Sequence, residues 1–257
     1  MLLDHPIISR RVFHPRSTDL EPDLVVNVGD VQLGCHVRRR HPDAGWLLYI
    51  HGNGELASEY ITAGYAEVFL DLGVNVCFAE YRGYGLSTGT PALVAMKRDG
   101  EAIVRALGAD PAHVVAFGRS LGSLYAAELA AQLPGLAGIV IESGIADIPD
   151  CWSFHQEAVE LGVEREELMR EVATEFNQRE KLGGYRGGLL VMHTTHDHLV
   201  DRSHADRLAS WSGGSDKKLV MFSQGDHNSI FRANAIEYLK ELGEFLMRVG
   251  VANRREP

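Results

Sequence analysis

Six short apolar runs recur along the chain, and segments with helical periodicity separate them. The runs are Trp46–Ile50, Val74–Ala79, Val114–Phe117, Gly138–Ile141, Leu189–Met192 and Leu219–Phe222. The helical segments are Ser58–Leu72, Leu93–Leu107, Leu121–Gln132, Ser203–Trp211 and Phe231–Val249. Short, continuously hydrophobic runs are typical of strands that are buried on both faces of a parallel sheet. Their alternation with helices predicts a doubly wound α/β sheet with right-handed crossovers.

The sequence before the first of these runs has a different pattern. Apolar and polar residues alternate at Arg11–Phe13, Leu24–Val28 and Val31–Val37, and Gly29-Asp30 separates the last two stretches. Alternation with a period of two, broken by a turn dipeptide, is the signal of antiparallel strands and a hairpin. We therefore expect antiparallel strands at the N-terminal edge of the sheet.

A second departure lies at 147–186, where no strand is predicted. Leu168, Val172 and Phe176 repeat every four residues, which gives a helix with one apolar face. A segment of about 40 residues is too short to hold a core of its own. We therefore predict one domain over residues 1–257 that carries a helical cap insertion.

The composition excludes several classes of protein. The chain has 35 acidic and 25 basic residues and a net charge of −10, so it lacks the basic surface that nucleic-acid binding requires. No stretch approaches the ~18 apolar residues of a membrane span, and the N-terminus has no signal-peptide core. Cys35, Cys77 and Cys151 are widely spaced, which favours reduced thiols. We expect a cytoplasmic protein.

The most specific motif lies where the third of the six apolar runs leads into a helix. Gly118, Ser120 and Gly122 form a G-x-S-x-G sequence at this junction. Glycines on both sides allow the strand and the helix to approach around a strained turn that projects the serine hydroxyl away from its backbone. Ser120 is therefore the candidate nucleophile.

A serine hydroxyl needs a base, and the base needs an orienting acid. Two polar segments contain such residues, His193–Val200 and Gln224–Asn228. Each directly follows one of the last two predicted strands. The carboxyl ends of these strands share one edge of the sheet with Ser120, and open α/β sheets build their sites at this edge. The order along the chain is serine, then aspartate, then histidine.

Two further motifs carry a resemblance to a known family. His-Gly-Asn at 51–53 follows the first of the six runs, and YRGYGLSTGTP at 81–91 follows the second. The chain resembles the α/β-hydrolases over essentially its whole length. It is most similar to a cytoplasmic serine-hydrolase group with HGN and YRGYGxSxGxP motifs. The resemblance implies an eight-stranded, mostly parallel sheet with an N-terminal antiparallel hairpin and a short helical cap.

The resemblance also implies roles for five residues. Ser120 is the expected nucleophile, His227 the general base and Asp197 the acid that orients it. The backbone N–H groups of Asn53 and Leu121 are the expected oxyanion hole. The activity implied is hydrolysis of a small-molecule carboxylic ester or thioester through an acyl-serine, without a metal or other cofactor.

Other interpretations of these residues stay open at this point. Glu142 ends a strand at the same edge and is an alternative orienting acid. Trp152 and Phe154 either line the substrate pocket or attach the cap to the sheet. A zinc site is a further possibility, and its ligands would come from His193, His196 and His198.

The function also has alternatives. The same groups could act on amides or peptides, and a non-catalytic binding protein could use the same fold. The sequence leaves the acyl chain, the leaving group and the oligomeric state open.

Overall fold

Within residues 1–253, eight strands form one sheet. They are β1 (Leu24–Val28), β2 (Val31–Arg38), β3 (Trp46–Ile50), β4 (Asn75–Ala79), β5 (Val114–Arg119), β6 (Gly138–Glu142), β7 (Gly188–Thr194) and β8 (Lys217–Phe222). Their order across the sheet is β1-β2-β4-β3-β5-β6-β7-β8. The β1–β2 and β2–β4 pairs are antiparallel, and all other pairs are parallel. The predicted mostly parallel, eight-stranded sheet with an N-terminal hairpin is confirmed.

The structure is a computed structural model and describes residues 1–253. Residues 254–257 of the predicted domain lie outside the described range. Ten α-helices lie within it, and none of these is long and apolar enough to span a bilayer. They are α1 (Pro6–Val12), α2 (Ala57–Thr62), α3 (Tyr65–Leu70), α4 (Asp99–Ala106), α5 (Gly122–Gln132), α6 (His155–Leu161), α7 (Arg165–Glu175), α8 (Gln178–Gly184), α9 (Ser203–Trp211) and α10 (Ile230–Arg248).

The prediction of a strand at Arg11–Phe13 is wrong, because α1 occupies most of this stretch. A proline stands at the first position of α1, where its fixed φ favours a helix. The ring of His5 accepts a hydrogen bond from a backbone amide of the first turn. Ile8 and Val12 are one turn apart and both fully buried. Three alternating residues are too few to distinguish this helical pattern from a strand.

Two predicted helices are interrupted. The segment Ser58–Leu72 is divided into α2 and α3 at Gly64, whose φ of +80° breaks the helical path. The segment Leu93–Leu107 begins as a 3₁₀ turn at Ala95–Arg98 before it becomes α4. The carboxylate of Asp4 accepts hydrogen bonds from two amides at the start of this turn. A residue far away in sequence therefore determines where the turn begins.

Helices cover both faces of the sheet, as the continuous apolar runs predict. In β3, Leu48 and Ile50 belong to the core that α4, α5, α8 and α9 cover. Leu47 and Tyr49 point to the opposite face and belong to the core under α3 and α10. This alternation leaves the carboxyl edge of the parallel strands for the loops that follow them.

The segment 147–186 joins β6 to β7 through α6, α7 and α8. Helix α8 packs against α5 and α9 and so belongs to the layer on the sheet. Ion pairs attach the segment to the rest of the chain, and two of them involve α7 and α8. Lys181 of α8 pairs with Glu128 of α5 at 2.6 Å, and Glu175 of α7 pairs with Lys97 at 2.9 Å. Helices α6 and α7 also contact the N-terminal residues.

Candidate active site

Ser120 lies in the tight turn between β5 and α5. Its φ is +50°, which is uncommon for a residue other than glycine. A Cβ added to Gly118 would lie 2.5 Å from the carbonyl oxygen of Gly122, and one added to Gly122 would lie 2.1 Å from that of Ile50. The Ser120 amide donates a hydrogen bond to the carbonyl of Glu142 at 2.8 Å. The two glycines of the motif thus permit a turn that keeps the serine hydroxyl clear of the sheet.

His227 reaches this serine from the loop between β8 and α10. Its Nε2 lies 2.9 Å from Oγ of Ser120, although 107 residues separate them in sequence. The imidazole is only 7% exposed. Asp226, the preceding residue, accepts hydrogen bonds from the amides of Asn228 and Ser229 and so fixes the turn around His227. The structure therefore brings Ser120 and His227 into direct contact.

Asp197 contacts the other side of the imidazole, from the loop between β7 and α9. Its Oδ2 lies 2.7 Å from Nδ1 of His227, and its Oδ1 accepts hydrogen bonds from the amides of Leu199 and Val200. Burial alone would raise the pKa of Asp197. The hydrogen bonds from His227 and from the two amides outweigh burial and hold this pKa below its ordinary value. Asp197 is therefore a carboxylate at neutral pH.

The three side chains form one hydrogen-bonded line. When Nδ1–H donates to the Asp197 carboxylate, Nε2 presents its lone pair to the hydroxyl of Ser120. In this state the imidazole can accept the hydroxyl proton, and the nearby carboxylate stabilises the imidazolium that results. The arrangement can therefore activate a serine toward an electrophilic carbonyl carbon.

The backbone amides of Asn53 and Leu121 lie in two segments that touch each other. Leu121 directly follows Ser120, and the start of α5 packs against the backbone of His51. Neither amide donates a hydrogen bond to another group within residues 1–253. The Asn53 side chain is held by the carbonyl of Val12 and by the hydroxyl of Tyr84. Within residues 1–253, both amides are therefore free of a protein acceptor.

Glu142, the alternative orienting acid, pairs with Arg119 and Tyr238 in the structure. Its Oε1 lies 2.9 Å from Nε of Arg119, and its Oε2 accepts a hydrogen bond from Tyr238. Burial raises the pKa of Glu142, and Arg119 opposes this shift. The carboxylate that is hydrogen-bonded to the imidazole of His227 belongs to Asp197.

The three candidate metal ligands do not converge. His193 is fully buried and its Nε2 lies 2.9 Å from the carbonyl oxygen of Val200, whereas His196 and His198 are exposed. Within the described residues, no group of three or more His, Cys, Asp and Glu side chains is placed to hold a metal ion.

Trp152 and Phe154 precede α6 and differ in environment. Phe154 is 2% exposed and belongs to the hydrophobic core. Trp152 is partly exposed and packs at the edge of the same core. These contacts attach the segment to the sheet. A role in a substrate pocket stays a prediction for both residues.

Sequence reasoning missed two sets of contacts at this site. Nε2 of His193 lies 3.4 Å from the Asp197 carboxylate. Its position four residues before Asp197, at the end of a strand, was a signal that could have indicated this contact. The end of α1 and the segment after it hold Asn53, through the carbonyl of Val12 and the amide of His14. Because these contacts join residues about 40 positions apart, no local pattern indicates them.

Comparison with solved structures shows which fold this is. The structure of an esterase of Pyrococcus furiosus is similar over 93% of this chain and 99% of the esterase chain, with a TM-score of 0.73 and 18% sequence identity. The chain has the α/β-hydrolase fold. A monoacylglycerol lipase of Paleococcus ferrophilus (TM-score 0.69, 19% identity, 86% and 100% covered) and an enol-lactonase of Burkholderia xenovorans (0.66, 17%, 87% and 100%) share this fold.

Curated proteins with sequence similarity carry alpha/beta hydrolase in their names. The chain is 25% identical over 226 residues to alpha/beta hydrolase domain-containing protein 17C of Mus musculus, which covers 82% of this chain and 64% of that protein. It is 27% identical over 186 residues to protein 17B of Xenopus tropicalis, with 67% and 57% covered. The chain thus spans less than two thirds of the length of these relatives. No protein-family model matches it.

Proposed function

We propose that this α/β-hydrolase chain is a serine hydrolase that cleaves uncharged carboxylic esters or thioesters. The observation that carries the proposal is the hydrogen-bonded line from Ser120 through His227 to Asp197, with separations of 2.9 and 2.7 Å. The structural neighbours named as an esterase, a lipase and a lactonase support the same class of reaction. The HGN and YRGYGxSxGxP motifs support membership of the cytoplasmic serine-hydrolase group.

The first half of the proposed reaction transfers the acyl group to the enzyme. His227 removes the proton from Ser120 as Oγ attacks the carbonyl carbon, and the carbonyl π electrons move to oxygen. The amides of Asn53 and Leu121 donate hydrogen bonds to this oxyanion, and each donor is worth about 3–4 kcal/mol in the transition state. Collapse of the tetrahedral intermediate expels the alcohol or thiol, which takes the proton from His227.

The second half releases the acid. His227 removes a proton from a water molecule, which attacks the acyl carbon and forms a second tetrahedral intermediate on the same two amides. This intermediate expels Oγ of Ser120, which recovers its proton from His227. The chemistry needs no cofactor. Asp197 acts in both halves, because it holds the imidazole in one tautomer and stabilises its cation.

We further propose that residues 1–257 form one domain and that 147–186 is its cap. Helices α6 and α7 are its outer part, since α8 belongs to the layer on the sheet. In this proposal Trp152, which is partly exposed, contributes to the acyl pocket, and Phe154 anchors the cap from the core.

Ser120→Ala tests the proposed function. We expect hydrolysis of a short p-nitrophenyl ester to fall by about 10⁴-fold or more, since the residual rate then comes only from binding and the oxyanion hole. A fluorophosphonate probe should label the wild-type protein at Ser120 and should not label the variant. Ser210→Ala, an exposed serine of α9, is the matched control and should keep full activity. Hydrolysis by Ser120→Ala at the wild-type rate would contradict the proposal.

A further inference from the structure

Arg119 is the last residue of β5 and directly precedes Ser120. Its side chain is only 9% exposed. The guanidinium contacts both carboxylates that lie near it: NH1 pairs with Glu55, and Nε lies 2.9 Å from Glu142. Its NH2 donates to the carbonyl oxygen of His227 at 2.8 Å and to Oδ1 of Asn228 at 3.1 Å. All three guanidinium nitrogens are therefore bonded to groups of the protein itself.

These acceptors belong to separate parts of the site. His227 and Asn228 lie in the loop that supplies the base. Glu55 lies in the loop after β3, and its Oε2 accepts a hydrogen bond from the amide of Gly52 at 2.7 Å, next to Asn53 in the sequence. One side chain thus joins the turn that carries the nucleophile to the loop of the base and to the loop of the oxyanion hole.

The charges favour a permanent cation at this position. Burial lowers the pKa of Arg119, but Glu55 and Glu142 outweigh this and raise the pKa above the ordinary arginine value. Two carboxylates face one guanidinium, and Tyr60 and Tyr238 donate hydrogen bonds to those carboxylates. The charged groups of the cluster therefore have hydrogen-bond partners. A buried polar network is rigid when its groups are satisfied in this way.

We propose that Arg119 is a positioning residue that sets the distance from His227 to Ser120 and the position of the Asn53 amide. This inference rests on the proposed function. Its physical basis is the planar guanidinium, which directs several N–H groups along fixed and divergent lines. A lysine ammonium keeps the charge but is a compact group on a flexible stem, and it cannot replace all four contacts.

Arg119→Lys is the direct test. A displacement of about 1 Å in a reacting group can cost about 10²-fold in rate, so we expect kcat to fall by roughly tenfold to a hundredfold. We expect KM to change by less than about threefold, because all three guanidinium nitrogens already bind protein groups. Affinity for a trifluoromethyl ketone that mimics the tetrahedral intermediate should fall together with kcat, whereas inhibition by the product acid should not change.

The matched control is Arg82→Lys. Arg82 is also largely buried and forms a two-point ion pair with Asp99 at 2.6 and 2.8 Å. In the described part of the chain, it has no hydrogen bond to the catalytic loops. Both variants should lose stability in thermal unfolding. Assayed below its unfolding temperature, only Arg119→Lys should lose kcat. An undiminished kcat in Arg119→Lys, or an equal loss in Arg82→Lys, would overturn the inference.

A second variant decides the question if Arg119→Lys does not fold. Glu55→Gln keeps a side-chain oxygen that can accept the hydrogen bond from the Gly52 amide, but it removes one negative charge from the cluster. The side chain is 24% exposed at this position. A severalfold fall in kcat with unchanged KM supports the inference, and an unchanged kcat overturns it. A wild-type protein that neither hydrolyses esters nor reacts with the fluorophosphonate overturns the proposed function, and the inference with it. Active wild-type protein with unaffected variants overturns the inference alone.

Discussion

Asp197→Asn tests most directly whether the hydrogen-bonded line of Ser120, His227 and Asp197 performs catalysis. The asparagine oxygen can still accept from the amides of Leu199 and Val200, so the loop keeps its turn. The new NH2 group then occupies the position of Oδ2, 2.7 Å from Nδ1 of His227. Because an amide NH2 donates, Nδ1 must become the acceptor.

The consequence for catalysis follows from this change of tautomer. With Nδ1 unprotonated, the neutral imidazole carries its proton on Nε2, which faces Oγ of Ser120 at 2.9 Å. Nε2 then cannot accept the serine proton, and no carboxylate stabilises the imidazolium. A loss of about 10⁴-fold in kcat is expected for such a change. This corresponds to about 5 kcal/mol of transition-state stabilisation, at about 1.4 kcal/mol for each factor of ten.

The assay is p-nitrophenyl ester hydrolysis at neutral pH, with circular dichroism to show that the variant is folded. Glu142→Gln is the paired variant, since this carboxylate sits at the same edge but contacts Arg119. It should lose stability, and its kcat should fall by no more than about tenfold. The reasoning is refuted if Asp197→Asn keeps more than a tenth of the wild-type kcat, or if Glu142→Gln is the more damaging change.

Two predictions concern stability. A Cβ at position 122 would lie 2.1 Å from the Ile50 carbonyl oxygen. Gly122→Ala should therefore lower the free energy of unfolding, measured in urea, by about 3 kcal/mol or more. Gly135→Ala, the control with open space around the added Cβ, should lower it by less than about 1 kcal/mol. Burial lowers the pKa of His193 and of His204 in the folded protein. Below about pH 6.5 the unfolded chain therefore binds more protons than the folded chain. The free energy of unfolding should fall on acidification, by up to about 1.4 kcal/mol per pH unit for each histidine. Unfolding free energies that are equal at pH 7.5 and 5.5 would contradict this.

The strands were predictable because the sheet is buried on both faces. Burial makes each strand a continuous apolar run, and the predicted and observed bounds of β3 are identical. The predicted runs for β5 and β6 stop short of Arg119 and Glu142, which are the last residues of those strands. Both end residues are charged and buried because they pair with each other. A hydrophobicity pattern ends a strand where the apolar run ends, and it has no information about a partner in another strand.

The catalytic candidates were predictable for a similar reason. Ser120, Asp197 and His227 each follow an apolar run, and the topology of a parallel sheet brings the ends of such runs to one edge. The contacts of Arg119 were not predictable in the same way. The sequence shows only that an arginine directly precedes Ser120. That its NH2 also holds the carbonyl of His227, 108 positions away, depends on how three loops fold over one another.

Features that conflict with stability are concentrated at this same edge. Ser120 has a positive φ, an arginine and two glutamates meet with little exposure to water, and His193 is fully buried beside Asp197. Each of these is unfavourable by itself, and each persists only where surrounding contacts fix it. Strain and buried charge of this kind are characteristic of sites where geometry serves chemistry rather than stability. Their position around one serine, at the carboxyl ends of β5, β7 and β8, is an argument for a reactive site there that is independent of any sequence motif.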